Sequence, residues 1–254
     1  MIQYDGTSHA VLFMNADDFQ AYVNSNRATA SKHSWNDWHL VPSEKPIIKM
    51  PEIKTKTVEI PGAHGIIDLS EVLTGYPVYG MRSGSLNFLN SNGYESWQYV
   101  HMDMAEYMHG KLLKMVLLDD PDFYYEGRFS LVDRVSQADR DKITINYVLN
   151  PFKRLVFSSN NWLWDPFNFK SGIITSRQNV KVQGTRKIRL PGSSLNTVPT
   201  ITCSTAMTAV YKGVTYNLAA GQNVIQAIKL SSGTHELTVT GNGTISIMYE
   251  GGWL

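Results

Sequence analysis

The stretch from Pro51 to Arg82, PEIKTKTVEIPGAHGIIDLSEVLTGYPVYGMR, most constrains what this chain can become. From Ile53 to Ile60 the side chains alternate. Ile53, Thr55, Thr57 and Glu59 share one face; Lys54, Lys56, Val58 and Ile60 share the other. Neither face is uniformly apolar, so the segment reads as a strand with at least one wet end. Pro61-Gly62 breaks it, because Pro cannot donate to a ladder and Gly permits positive φ. A second loop follows at His64-Gly65, then the short apolar run Ile66, Ile67 and Leu69. Leu73-Thr74-Gly75 closes that run, and Tyr76 to Tyr79 is extended around Pro77. No nucleophile elbow, phosphate cradle or metal cage is present in the stretch. It reads as backbone architecture: a strand, a corner and a link to the next strand.

A chain of 254 residues has room for one large domain or two ordinary ones. Hydrophobic residues make up 43% and charged residues 18%, the balance of a globular chain and not of a disordered one. The single cysteine, Cys203, excludes an intrachain disulfide and fits assembly in a reducing cytosol. The only apolar run near the start, Ala10 to Met14, meets Asp17 and Asp18 at once, so neither a signal peptide nor a membrane span is expected. Charge is unevenly placed. Residues 1–156 carry 15 bases against 19 acids, a net of −4, and residues 157–254 carry 8 against 3, a net of +5. Together with Pro151, the shift sets an expected boundary near Leu155–Asn160, giving domains 1–156 and 157–254. The second half's Lys181, Arg186, Lys187 and Arg189 are scattered through a strand-like stretch without a nucleic-acid recognition motif. A solvated strand face or a contact with a neighbouring subunit is the expectation for them.

In the first half, Val11 to Asp18 is apolar and then acidic. Asn24 to His33 reads as a long loop or arm. Trp35 and Trp38 either bury against the core or meet another subunit; the sequence does not choose. One helix is expected between Ser91 and Gly110, where Trp97, Val100, His101, Met104, Tyr107 and Met108 recur at helical spacing. Ser91 or Asn92 would cap its start and Gly110 would lie just past its end. His101 and His109 are eight residues apart, too far for a compact metal site, and read as core or interface residues. Lys111 to Leu118 and Phe123 to Val132 are strands joined by the turn Asp119-Asp120-Pro121-Asp122. The turn's carboxylates are hard oxygen ligands in type, but the calcium-loop spacing is absent and Asp-Pro turns are common in sheets. No cofactor or metal is expected.

The second half reads as strand and turn throughout. Trp162, Trp164, Phe167 and Phe169 open it; they are weak candidates for sugar platforms and ordinary candidates for a core or interface. Strands are expected at Val180–Leu190, Val198–Cys203, Ala209–Leu218 with a Lys212-Gly213 turn, Val224–Leu230, Leu237–Thr240 and Thr244–Tyr249. The last two are read as a tight hairpin about Gly241-Asn242-Gly243. At least six short strands argue an antiparallel sandwich. An enzyme is not expected: there is no GxSxG, and no Cys-His pairing is suggested. Sugar hydrolysis needs two carboxyls about one bond, and the second half offers only Asp165, Glu236 and Glu250.

Three blocks carry a resemblance. The order PEIKxKxVxIPG, then GxxDLSExLTG, then Tyr and Arg82, resembles the N-terminal domain of the distal tail protein (Dit) family of long-tailed, non-contractile bacteriophages and prophages. The block GKxxKxxLxDDPDxYYxGR, from Gly110 to Arg128, and NPFK at Asn150 resemble the same domain further along. VPTI at Val198 and the closing GxGxxxIxY resemble that family's galectin-like C-terminal domain. Where members usually carry an acid, a Thr and an Asn, this chain has His64, Ser70 and Met81, the mark of a distant branch. The resemblance implies a mainly β, two-domain protein. Its first domain would be a sandwich or barrel-like sheet with one helix, like a tail tube subunit, and its second an antiparallel galectin-like sandwich. It also implies a hexameric ring at the tail tip that joins the tail tube protein to the tail-associated hub protein, assembled in the host cytoplasm. The second domain would project outward and carry receptor-binding or peripheral baseplate parts. DNA would pass through the channel without specific binding, which an acidic first half suits. Pro61, Gly62, Gly65, Gly75 and Gly127 would be structural motif positions. Asp68, Arg82 and Arg128 would pair inside the fold in preference to a ring contact. The rival reading is a free carbohydrate-binding module or lectin using Trp162 and Trp164.

Overall fold

The structure, a computed structural model, describes residues 6–28, 32–62, 64–91, 96–132, 135–136, 141–157 and 177–254. The chain is mainly β and divides into two compact units, residues 1–153 with Leu254, and residues 154–253.

In the first unit, β1 (Val11–Met14) is buried along its whole length, as a short continuous apolar run should be when covered on both faces. The acidic residues after it do not continue as loop. They start a second helix that the sequence reading lacked, α1 (Ala16–Asn24). Asn15 caps it, its side-chain oxygen accepting from Asp18 N at 2.8 Å, and Asp17 and Asp18 sit in the first turn where the helix dipole favours them. Phe19 and Tyr22 form its buried stripe, and the helix packs on β1 and on residues 112–117. Then come β2 (Lys32–His33), β3 (Leu40–Pro42), β4 (Thr57–Glu59), β5 (Ile66–Asp68) and β6 (Arg82–Asn90). The next helix, α2 (Trp97–Met108), buries Trp97, Val100, Met104 and Met108. It starts later than expected: Ser96 precedes it without a side-chain cap, Ser91 instead donates to His39 O, and Asn92 lies outside the described residues. Gly110 follows its end at φ +76, as expected.

Strands β7 (Leu112–Leu117), β8 (Phe123–Leu131), β9 (Val135–Ser136) and β10 (Asp141–Leu149) complete this unit. The sheet order is β2-β1-β7-β8-β10-β6-β3, all antiparallel, with β9 on β10. Alternation fixes the register. Ile143, Ile145, Tyr147 and Leu149 of β10 and Leu86 and Phe88 of β6 turn inward with Phe129, while α2 packs its methionines on the same core. Gly127 is required by a close approach: a Cβ there would lie 2.1 Å from Val148 O and 2.6 Å from Leu149 Cα. The question left open for the tryptophans is settled for Trp38, which is buried and edge-on to Tyr107, its indole N–H donating to Asp103 at 2.7 Å.

The second unit contains β11 (Arg154–Leu155), β12 (Arg177–Pro191), β13 (Thr200–Cys203), β14 (Met207–Tyr211), β15 (Val214–Leu218), β16 (Gly221–Val224) and β17 (Thr234–Met248). Five strands run β15-β14-β17-β13-β16, with β12 also on β17. The expected hairpin at Gly241-Asn242-Gly243 does not form; β17 passes straight through it. A local Asn-Gly turn signal loses to a continuous ladder, since β12 stays paired with β17 through Val182↔Gly243, Gln183↔Asn242 and Gly184↔Gly241. The two glycines have another use. On its other edge β17 pairs first with β14 and then with β13. At the changeover a Cβ on Gly241 would meet Met207 Cγ at 2.7 Å and one on Gly243 would meet Ser204 Oγ at 2.5 Å. Val182, Ile188, Leu190, Ile201, Leu237, Val239, Ile245 and Ile247 make the core. Tyr249 donates to Pro191 O at 2.6 Å, and burial pushes its pKa up to about 12.

Candidate functional site

Residues 51–81 leave the first unit's sheet as an arm. At its root Lys54 N donates to Val78 O and Gly80 N to Glu52 O, at 2.8 and 2.7 Å, about an Ile53↔Tyr79 bridge. The expected strand from Ile53 to Ile60 is thus only partly a strand: this bridge, a gap, then β4. Further out β4 and β5 pair as a two-stranded ribbon, Thr57↔Asp68, Val58↔Ile67 and Glu59↔Ile66. The return turn is self-bonded. Ser70 N donates to Asp68 Oδ1, Lys56 N to Ser70 Oγ, and Gly75 N to Glu71 O. Hydrogen bonding from the Ser70 hydroxyl, and then from its backbone N–H, holds the Asp68 carboxyl below its usual pKa. Gly62, Gly65 and Gly75 all have positive φ at the corners, and Pro61 stands beside the first of them.

Every residue of β4 and β5 is exposed, and so are Ile53, Ile60, Val72 and Leu73, while Leu69, Tyr76, Val78 and Tyr79 are half-buried. Leu73 is 98% exposed, Val72 68% and Ile66 59%. An isolated two-stranded ribbon is marginal in water, and a contiguous apolar surface marks an interaction site. From Thr57 to Gly75 the arm also carries Glu59, Asp68 and Glu71 and no Lys or Arg. A hint of this lies in the residues: an alternating strand with no clean apolar face has no inside to turn to.

Arg82, where the arm rejoins the sheet, is 1% exposed. Its Nε donates to Pro151 O at 2.8 Å and its Nη1 to Lys49 O at 3.1 Å, with the guanidinium over the Tyr125 ring. Burial lowers its pKa, partly offset by Tyr125 and Tyr147. Asp68 is far out on the exposed ribbon and bonded to Ser70, so its local partner is a turn residue and Arg82's are carbonyls. Arg128 donates to Gly110 O at 2.7 Å and stays exposed on the outer face of β8.

The Asp119–Asp122 turn is stitched to its own unit. Asp119 meets His9 at 2.9 Å and Lys45 at 3.9 Å, Asp120 meets Lys153 at 2.7 Å, and Asp122 meets Arg27 at 2.8 Å. Among the described residues no group of three or more His, Cys, Asp and Glu is placed to hold a metal ion. Glu236 and Glu250 each have a basic partner, Lys187 and Arg154, both at 2.8 Å. Trp162, Trp164 and Asp165 lie outside the described residues. No described helix is long and apolar enough to cross a membrane.

No protein-family model matches the chain, and no curated protein matches it. Among solved structures it is similar to the SPP1 Dit (gp 19.1) protein, described as a paradigm of hub adsorption apparatus in Gram-positive infecting phages. The match has a TM-score of 0.58 at 12% sequence identity and covers 96% of this chain and 99% of that one, so what the two share from end to end is their fold.

Proposed function

We propose that this chain is a structural protein of a phage tail tip. In this reading it forms a hexameric ring through domain 1–156 and joins the tail tube protein to the tail-associated hub protein. Domain 157–254, galectin-like in this reading, anchors receptor-binding or peripheral baseplate parts, and DNA passes through the channel without being gripped. The protein is assembled in the host cytoplasm, works in the virion and catalyses no reaction. The observation that carries the proposal is the exposed arm: a self-bonded two-stranded ribbon whose strands are exposed on both faces. The end-to-end likeness to a phage adsorption-apparatus protein supports the choice of phage tail over other assemblies. A ring follows when one patch meets a different patch on the next copy and the rotation closes.

Light scattering on the full chain after size exclusion should give six copies, and particles labelled against it should carry label at the tail end. A chain that stays monomeric at every concentration, on particles without tail-end label, overturns the proposal. The lectin reading depends on Trp162 and Trp164, and no described residue favours it.

A further inference from the structure

We infer that the free edge of β12 takes up an extended, acidic segment of a partner protein as an added strand. This rests on the reading of the second domain as an anchor and names the partner's chemistry. β12 runs 15 residues and, among the described residues, pairs with β17 alone. In an antiparallel pair, residues alternate between bonding across the pair and turning their N–H and C=O away from it. Two contacts fix the phase. Gly192 N donates to Gly233 O at 2.7 Å, just past one end of the β12–β17 ladder. Near the other end, Lys181 O accepts from Arg186 Nη1 at 2.7 Å and so faces away from β17. The register between them is unbroken. From Val182 to Leu190 the even-numbered residues therefore bond β17, and Gln183, Thr185, Lys187 and Arg189 turn their backbone groups to the open side. Pro191, with no N–H to give, falls in the same phase, where a strand tolerates it. The row from Lys181 to Arg189 is about 27 Å long. The unit's other edges, β15 and β16, are only 5 and 4 residues.

The edge is also selective. No acid occurs between Arg177 and Pro191, and Lys181, Arg186, Lys187 and Arg189 are all exposed. Residues 177–254 contain two acids. Glu236 stands opposite Arg189 and meets Lys187 at 2.8 Å, while Glu250 meets Arg154 at 2.8 Å. Along the strand, four bases thus face one acid. A strand edge offers hydrogen bonds to any extended backbone, and the side chains beside it choose which. A second β12 would set base against base, so this edge does not pair with its own copy. Alternating acids on an incoming strand are matched. A purely apolar strand finds little to cover, because Val182, Ile188 and Leu190 are already buried.

The test uses the full chain and a labelled synthetic peptide as long as the free row, in which Glu alternates with Val. Fluorescence anisotropy should show binding, and about tenfold weaker binding when Lys replaces Glu in the peptide. Hydrogen exchange should show new protection at the amides of Gln183, Thr185, Lys187 and Arg189, while the even-numbered amides, already bonded to β17, stay as they were. The same peptide N-methylated at alternate residues keeps its charge but cannot complete the ladder, and it should not bind. Lys181→Glu with Arg186→Glu should weaken the Glu peptide and strengthen the Lys peptide, a swap that misfolding cannot imitate. Equal binding by the N-methylated peptide, or binding without protection at those four amides, overturns strand addition in favour of a charge contact only. No binding of the Glu peptide overturns the site and leaves the tail-tip reading to its ring and label tests. A chain that binds the peptide but forms no ring overturns the ring and keeps the edge as a docking site.

Discussion

Arg82 shows how a charge is kept inside this protein. Its guanidinium bridges the carbonyls of Lys49, just before the arm departs, and Pro151, just past the end of β10. Replacing it with Ala strands both carbonyls, and the first unit should lose about 3 kcal/mol in denaturant unfolding. Gly127→Ala should cost at least as much, about 3 kcal/mol or more, since the atom it would meet is backbone and cannot swing aside. Asp103 sets a pH dependence. Burial raises its carboxyl, but the Trp38 and Lys32 hydrogen bonds and the Lys32 charge outweigh that and leave it below the ordinary value. Its contribution is therefore whole above the unfolded carboxylate pKa and fades as pH falls through the lower folded one. Asp103→Asn should destabilise the first unit by about 1 kcal/mol at neutral pH and flatten the acid limb of a stability–pH curve. Arg82 and Gly127 were both visible in the sequence only through a resemblance, because the contacts that demand them come from strands distant in the chain.

Among the elements, those built from strong local period were legible. Helix α2 with its terminal glycine, the β7–β8 pair about an Asp-Pro turn, and the β14–β15 hairpin about Lys212-Gly213 lie close to where the residues put them. Helix α1 was not legible: it is 9 residues long, buries only Phe19 and Tyr22, and begins directly after a strand. β17 was misread because a turn dipeptide speaks only to its neighbours, whereas the ladder that overrules it is supplied from 177–191. That supplier, β12, pairs among the described residues with β17 alone, and its exposed Lys181, Arg186, Lys187 and Arg189 are the kind of charges that keep a strand edge from recruiting another. Arg186→Val with Lys187→Val should make the protein self-associate irregularly, seen as rising static light scattering on mild heating.

For the whole molecule, the proposed ring would separate folding from assembly. Replacing residues 57–75 with a short Gly-Ser link, while keeping the Ile53↔Tyr79 root, should leave the melting temperature nearly unchanged and abolish the oligomer. Size exclusion and a thermal melt on one sample check both. Exposure of this kind has no signature in the residues alone: Leu73 looks like an ordinary apolar residue until the fold leaves it uncovered.

The unbroken course of β17 also has a mechanical meaning. Tension along its axis is borne in shear by its ladder with β12, so no end can be peeled first and the bonds must fail together. The second unit is thus stiffest along the line of that strand, a useful grain for a part that would hang appendages from a moving particle.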